Sequence, residues 1–173
     1  MKTFSIALVA LALAGCAAIS PSLTEMPALS NLAEPAQGVF TSGRLTDADI
    51  VSIQHSGIRE VIDLTLDSET PDFDEAAAAR SRGLVYRNLP IEGARGLSME
   101  NVVAFDVLLR SAKRPVLVHC ASSNRVGAIA ALHAAWVDGA STEQAIAIGK
   151  SWGLKGLEAE VLTRLQSGPV ESP

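Results

Sequence analysis

The chain has 173 residues, a formal net charge of −5 and 19% charged residues. That length suits one domain with a sizeable core. The acidic balance, with no basic run anywhere in the chain, excludes nucleic acid as a partner.

The elements follow in chain order. Residues 1–15 place Lys2 before an apolar run and end in Leu13-Ala14-Gly15, directly before Cys16. The run is too short for a confident transmembrane span and closes on small residues, as a signal peptide does. A cysteine at that point makes a lipobox, so cleavage before Cys16 and lipidation of Cys16 are expected. By resemblance to lipoprotein sorting in Gram-negative bacteria, Ala17 in place of Asp favours the outer membrane, so the expected location is the bacterial cell envelope, lipid-anchored and facing the periplasm. A plain secretory signal and an uncleaved anchor are the other readings. Residues 16–37 are rich in Pro, Ser and Ala without a period and read as a tether.

Residues 39–42 suit a short edge strand. Thr46 and Asp49 are placed to cap a helix that stops near Gly57 and turns Ile50 and Ile53 to the core. Residues 58–64 are β-branched and predict a strand, and 67–71 form a polar turn. An alanine-rich helix over 73–82 closes at Gly83, followed by a strand over 84–89 and a loop over 90–97. Ser98 caps a helix over 99–112, and Pro115 opens an apolar strand over 116–118. A long apolar helix follows Arg125 and ends at Gly139. Further helices cover 142–150 and 157–165, and 167–173 form a tail. Strand and helix alternate three or four times. The pattern predicts an α/β fold: a mostly parallel central sheet of four to five strands, helices on both faces, within a domain over 38–166.

The chemistry concentrates at His119-Cys120-Ala121-Ser122-Ser123-Asn124-Arg125. A strand that breaks into a short loop and then starts a helix makes an anion site. Loop amides from Ala121, Ser122, Ser123, Asn124 and Arg125 converge with the helix N-terminus on one spot. A Cys120 thiolate is favoured at that spot by the amides and the helix dipole. The Arg125 guanidinium adds a planar fork for an oxyanion. Nucleophile, cradle and clamp together serve covalent phosphoryl or sulfur transfer. The structural alternative is a buried cysteine beside a surface arginine.

His119-Cys120 followed by Arg125 resembles the H-C-x5-R-S/T signature of dual-specificity and tyrosine phosphatases. The loop departs from it in being one residue shorter, in Ser123 where glycine is expected, and in Val126 where a hydroxyl residue is expected. The stretch from Val116 to Ala128 most resembles the bacterial beta-lactamase hydrolase-like phosphatase domain family, also read as sulfurtransferases, over roughly residues 38–165. The resemblance implies a cysteine-phosphatase-like fold and a hydrolase of phosphate monoesters that works through a phosphocysteine, with His119 supporting the loop. By the same resemblance, Leu89-Pro90-Ile91-Glu92-Gly93 matches the general-acid loop. The acid position falls at Gly93, so Glu92 is the candidate acid. Asp63 is a second candidate, although a turn or cap role suits it better.

Two rivals stand beside this reading. The short loop resembles that of rhodanese-type sulfurtransferases, in which Cys120 would carry a sulfane sulfur. Ser123 and Val126 suit a catalytically weak anion- or protein-binding module. A positive φ at Ser123 would strain the loop. The partner is thus a phosphorylated or sulfur-carrying substrate, together with a membrane reached through the anchor.

No cofactor and no metal are expected, because His55, His119 and His133 lie far apart in the chain and from any second cysteine. Arg95 and Lys155 could reach an anion from the rim, or be plain surface charges. Asp106 is expected to face solvent from mid-helix, and Trp136 and Trp152 to pack. With Cys16 lipidated, Cys120 has no disulfide partner; a Cys16–Cys120 bridge is the alternative in an oxidising compartment.

Overall fold

A computed structural model of the chain describes residues 27–169. The expected signal peptide, Cys16 and the last residues of the tail lie outside that range. Five strands run as β1 (Ala33–Ala36), β2 (Val39–Ser42), β3 (Glu60–Asp63), β4 (Val85–Asn88) and β5 (Val116–His119). Six helices join them: α1 (Asp47–Ser56), α2 (Glu75–Ser81), α3 (Met99–Ser111), α4 (Asn124–Trp136), α5 (Thr142–Ser151) and α6 (Glu158–Ser167). The sheet order is β1-β2-β5-β3-β4, parallel except for the antiparallel β1–β2 pair. This is the expected α/β architecture.

Strands β2, β3 and β5 are buried along their whole length. Their side chains alternate between two cores, as a parallel sheet covered on both faces requires. Ile62, Val116 and Val118 join Val102, Phe105, Ile129, Leu132 and Val161 on one face. Val61, Leu117 and Phe40 join Ile50, Ile53 and Ala79 on the other. Each such buried Val, Leu, Ile or Phe side chain contributes about 1.5–3 kcal/mol.

The caps read from the sequence are present. Thr46 accepts from the Asp49 backbone while the Asp49 carboxylate accepts from the Thr46 N–H, a reciprocal capping box. Ser98 caps α3 by accepting from the Asn101 N–H, and Ser141 forms a second reciprocal box with Gln144 at the start of α5.

The tether gives way earlier than expected. Ala33–Ala36 is a strand, Leu29 is buried, and the Gly43 N–H donates to the Ser30 carbonyl at 2.7 Å. Pro35 obscured this strand in the sequence, because proline donates nothing to a ladder; at the edge of a sheet that loss is tolerated. At the other end, α6 runs to Ser167, which the tail was expected to contain. Among the described residues no helix is long and apolar enough to cross a membrane.

Candidate active site

Strand β5 lies at the centre of the sheet and ends at His119. Cys120 therefore stands beyond the carboxyl ends of the parallel strands, where open α/β sheets bind ligands. It is 1% exposed and is a free thiol. The loop after it is tied to the end of β2: the Arg44 N–H donates to the Ala121 carbonyl at 3.2 Å, and Gly43 bridges Ser122.

Ser123 then adopts φ +64°, the left-handed region. This turn lets α4 begin at Asn124, two residues before the apolar run at Val126. The first helical bond runs from the Gly127 N–H to the Ser123 carbonyl at 2.9 Å. The N–H groups of Asn124, Arg125 and Val126 thus precede the helical ladder, as an anion cradle requires. Ser123 makes no capping bond, and its hydroxyl reaches the Asn31 carbonyl at 3.4 Å. The strained serine that the sequence raised as a conditional is present.

Arg125 is held on three sides. Its Nη1 and Nη2 donate to the two carboxylate oxygens of Glu69 at 2.6 and 2.7 Å. Nη1 also approaches the carbonyls of Leu64 at 3.2 Å and Ile91 at 3.0 Å. Burial works against the guanidinium charge, but the Glu69 hydrogen bond and the charges of Cys120 and Glu69 outweigh it and raise the arginine above its ordinary value. The hydrogen bond from Arg125 conversely holds the Glu69 carboxyl below its usual range, against the effect of burial. Glu69 lies in a short 3-10 turn, Asp67–Glu69, inside the segment expected to be only a polar turn. It is the main site residue that sequence reasoning missed. Its partner lies 56 residues away in the chain, so no local pattern announces it.

The other candidates take varied positions. Glu92 follows Ile91, whose carbonyl meets Arg125, but its carboxylate pairs with Arg95 and is 53% exposed. The Asn124 side chain pins the α5–α6 connection, accepting from the Lys155 and Leu157 N–H groups at 2.8 and 3.3 Å. Lys155 Nζ meets the Asn31 side chain at 2.7 Å. Trp152 packs edge-on to Phe105 with ring centroids 6.0 Å apart. Asp106 does not simply face solvent. It meets His133 Nε2 at 2.7 Å and Arg110 Nε at 2.7 Å.

Nor does His119 stand apart from other ligand-type groups, as the sequence suggested. Parallel pairing sets Asp63 opposite it, and the first residue of α2 brings Glu75 to the same point. His119 Nε2 is 2.8 Å from Glu75 Oε1 and 3.4 Å from Asp63 Oδ1. Asp63 also accepts from the Thr65 N–H and hydroxyl, both at 2.7 Å, and from the Tyr86 hydroxyl at 2.7 Å. Burial, followed by that Asp63 bond and the nearby acidic charges, drives the Tyr86 hydroxyl far above its ordinary value. Asp63 was a candidate acid in the sequence; here its carboxylate is a buried acceptor.

Fold and loop together define a phosphatase-like α/β domain with a cysteine at the head of its anion loop. The sequence model of the phosphatase-like domain of beta-lactamase hydrolase-like proteins matches residues 36–137, and the chain belongs to that family. A curated beta-lactamase hydrolase-like protein from Xylella fastidiosa is 32% identical over 88 residues, covering 49% of this chain and 20% of that protein. The chain thus matches only about a fifth of its curated relative's length. Among solved structures, the nma1982 protein of Neisseria meningitidis superposes with a TM-score of 0.65 at 24% identity, covering 78% of this chain and 96% of that one. P. aeruginosa TpbA superposes with a TM-score of 0.64 at 19% identity, covering 86% and 92%. At such identities the likeness establishes a shared fold.

Proposed function

We propose that the protein is a cysteine-dependent phosphatase acting on phosphate monoesters. The observation that carries this reading is the immobilised Arg125 fork beside Cys120, at the strand–loop–helix junction. The Cys120 thiolate attacks phosphorus, an S–P bond forms, and the P–O bond to the leaving group breaks. Arg125 and the loop amides stabilise the equatorial oxygens, a preorganised electrostatic effect. The leaving oxygen takes a proton, for which Glu92 is the nearest candidate from the sequence. Water then attacks phosphorus and returns a proton to that acid, the S–P bond breaks, inorganic phosphate leaves and the thiolate is regenerated. TpbA, which shares the fold, has been solved in complex with pTyr, so an aryl phosphate is the apt first probe. Lipidation at Cys16 would hold this domain at the periplasmic face of the envelope, with the substrate reached there.

One feature favours a second reading. Four residues separate Cys120 from Arg125, the shorter spacing seen in rhodanese-like sulfurtransferases. The test is a paired assay on the full-length, reduced protein: hydrolysis of an activated aryl phosphate, and sulfur transfer from thiosulfate to cyanide. Aryl phosphatase turnover that disappears in Cys120→Ser supports the proposal. Sulfur transfer without hydrolysis replaces it with the sulfurtransferase reading. Silence in both from a folded protein leaves a binding module.

A further inference from the structure

We propose that Asp63, Glu75 and His119 form a binding site for a zinc-class divalent cation behind the nucleophile loop. One donor atom from each residue lies within 4.8 Å of the other two. All three side chains are almost fully enclosed: His119 is 1% exposed, Glu75 5% and Asp63 6%. A tetrahedral cation with bonds of about 2.0 Å holds its donors about 3.3 Å apart. The two separations from His119, 2.8 Å to Glu75 and 3.4 Å to Asp63, bracket that spacing, and the two carboxylates stand within 4.8 Å of each other.

The unmet hydrogen bonding points the same way. Neither ring nitrogen of His119 has a hydrogen bond, and neither does Glu75 Oε1, although the two residues approach to 2.8 Å. Buried polar atoms are rarely left in this state. Charge gives an independent argument. Two carboxylates with an imidazolium leave one negative charge uncompensated in a buried place, which is costly. Two carboxylates, a neutral imidazole and a divalent cation sum to zero.

Access and support are both present. A cavity of about 380 Å³ is lined by Asp63, Glu75, Thr65 and Tyr86, so solvent reaches the two carboxylate residues from one side while His119 lies behind them. The hydrogen bonds that Thr65 and Tyr86 give to Asp63 fix that carboxylate, as outer partners of metal ligands do. Imidazole with carboxylate oxygens suits zinc, with cobalt as its spectroscopic substitute.

The test uses full-length protein carrying Cys120→Ser, so that the adjacent thiol cannot ligate. After chelation and dialysis, zinc is titrated calorimetrically and retained metal is counted by mass spectrometry. Cobalt is then added and its visible spectrum recorded. The expected result is one equivalent of zinc and a four- or five-coordinate cobalt band without thiolate charge transfer. Asp63→Asn and Glu75→Gln should each weaken zinc binding at least tenfold. If either variant fails to fold, the cobalt spectrum of the parent decides. Substoichiometric zinc, a six-coordinate cobalt spectrum, or folded variants that bind like the parent would overturn the site and leave a buried charge cluster.

Discussion

Glu69 grips Arg125 with both carboxylate oxygens, at 2.6 and 2.7 Å, and so fixes the plane of the guanidinium before any substrate arrives. An isolated arginine would have to lose side-chain freedom on binding; this one has already lost it. Glu69→Gln keeps the shape but gives up one acceptor and the charge. Charged hydrogen bonds contribute about 1.5–3 kcal/mol, so kcat/KM for an aryl phosphate should fall about 10–100-fold while circular dichroism stays unchanged. Arg125→Lys should fare no better, since an ammonium cannot replace the fork. Wild-type kinetics in Glu69→Gln would show that Glu69 has no positioning role.

The same pair sets a pH dependence. The folded Glu69 carboxyl is held below its ordinary value of 4.5, chiefly by the Arg125 hydrogen bond. Its stabilising contribution is therefore complete above that ordinary value and is lost as pH falls through the lower folded one. Denaturation midpoints followed downward from pH 6 should decline more steeply in the parent than in Glu69→Gln. Parallel acid limbs in the two proteins would contradict the assignment.

Ser123 at φ +64° occupies backbone space that glycine takes at no steric cost. Against the strain relieved stands the larger unfolded-state entropy of glycine. Ser123→Gly should raise stability by a net of about 0.5–1 kcal/mol without loss of turnover. Thermal melts and aryl phosphatase kinetics measure both. Lower stability would mean that the long hydroxyl contact to Asn31 contributes more than its 3.4 Å suggests.

Helix α4 packs closely on the α5–α6 region through Gly127. A β-carbon there would lie 2.0 Å from the Leu154 nitrogen and 2.6 Å from the Gly149 carbonyl oxygen, both backbone atoms that cannot swing aside. Gly127→Ala should destabilise by about 3 kcal/mol, at the upper end of overpacking costs, and lower the melting temperature by about 10 °C. Because α4 opens from the Cys120 loop, activity should fall with stability. A melting temperature within about 2 °C of the parent, less than a 1 kcal/mol change produces, would be the contrary outcome.

Local signals carried most of the fold. Capping at Thr46 and Ser98 marked helix starts, and the β-branched runs before Asp63 and His119 marked central strands. What stayed hidden depends on tertiary pairing. β1 exists because the edge of β2 is available to it, not because Ala-Glu-Pro-Ala favours a strand. The strand–loop–helix junction at Cys120 was legible because its residues are consecutive. Glu69 and the Asp63–Glu75–His119 cluster were not, because two elements bring Glu69 to Arg125 and three assemble the cluster.

The presence of β1 ahead of residue 38 has a practical outcome. Cutting the protein at residue 38, where composition alone would place the domain limit, removes β1 and the buried Leu29. Strand β2 would then present its free edge, and Val39 and Phe40 would lose part of their cover. Exposed apolar edges recruit other chains. A fragment cut there should self-associate, whereas one that begins before residue 27 keeps the molecule's own strand in that place.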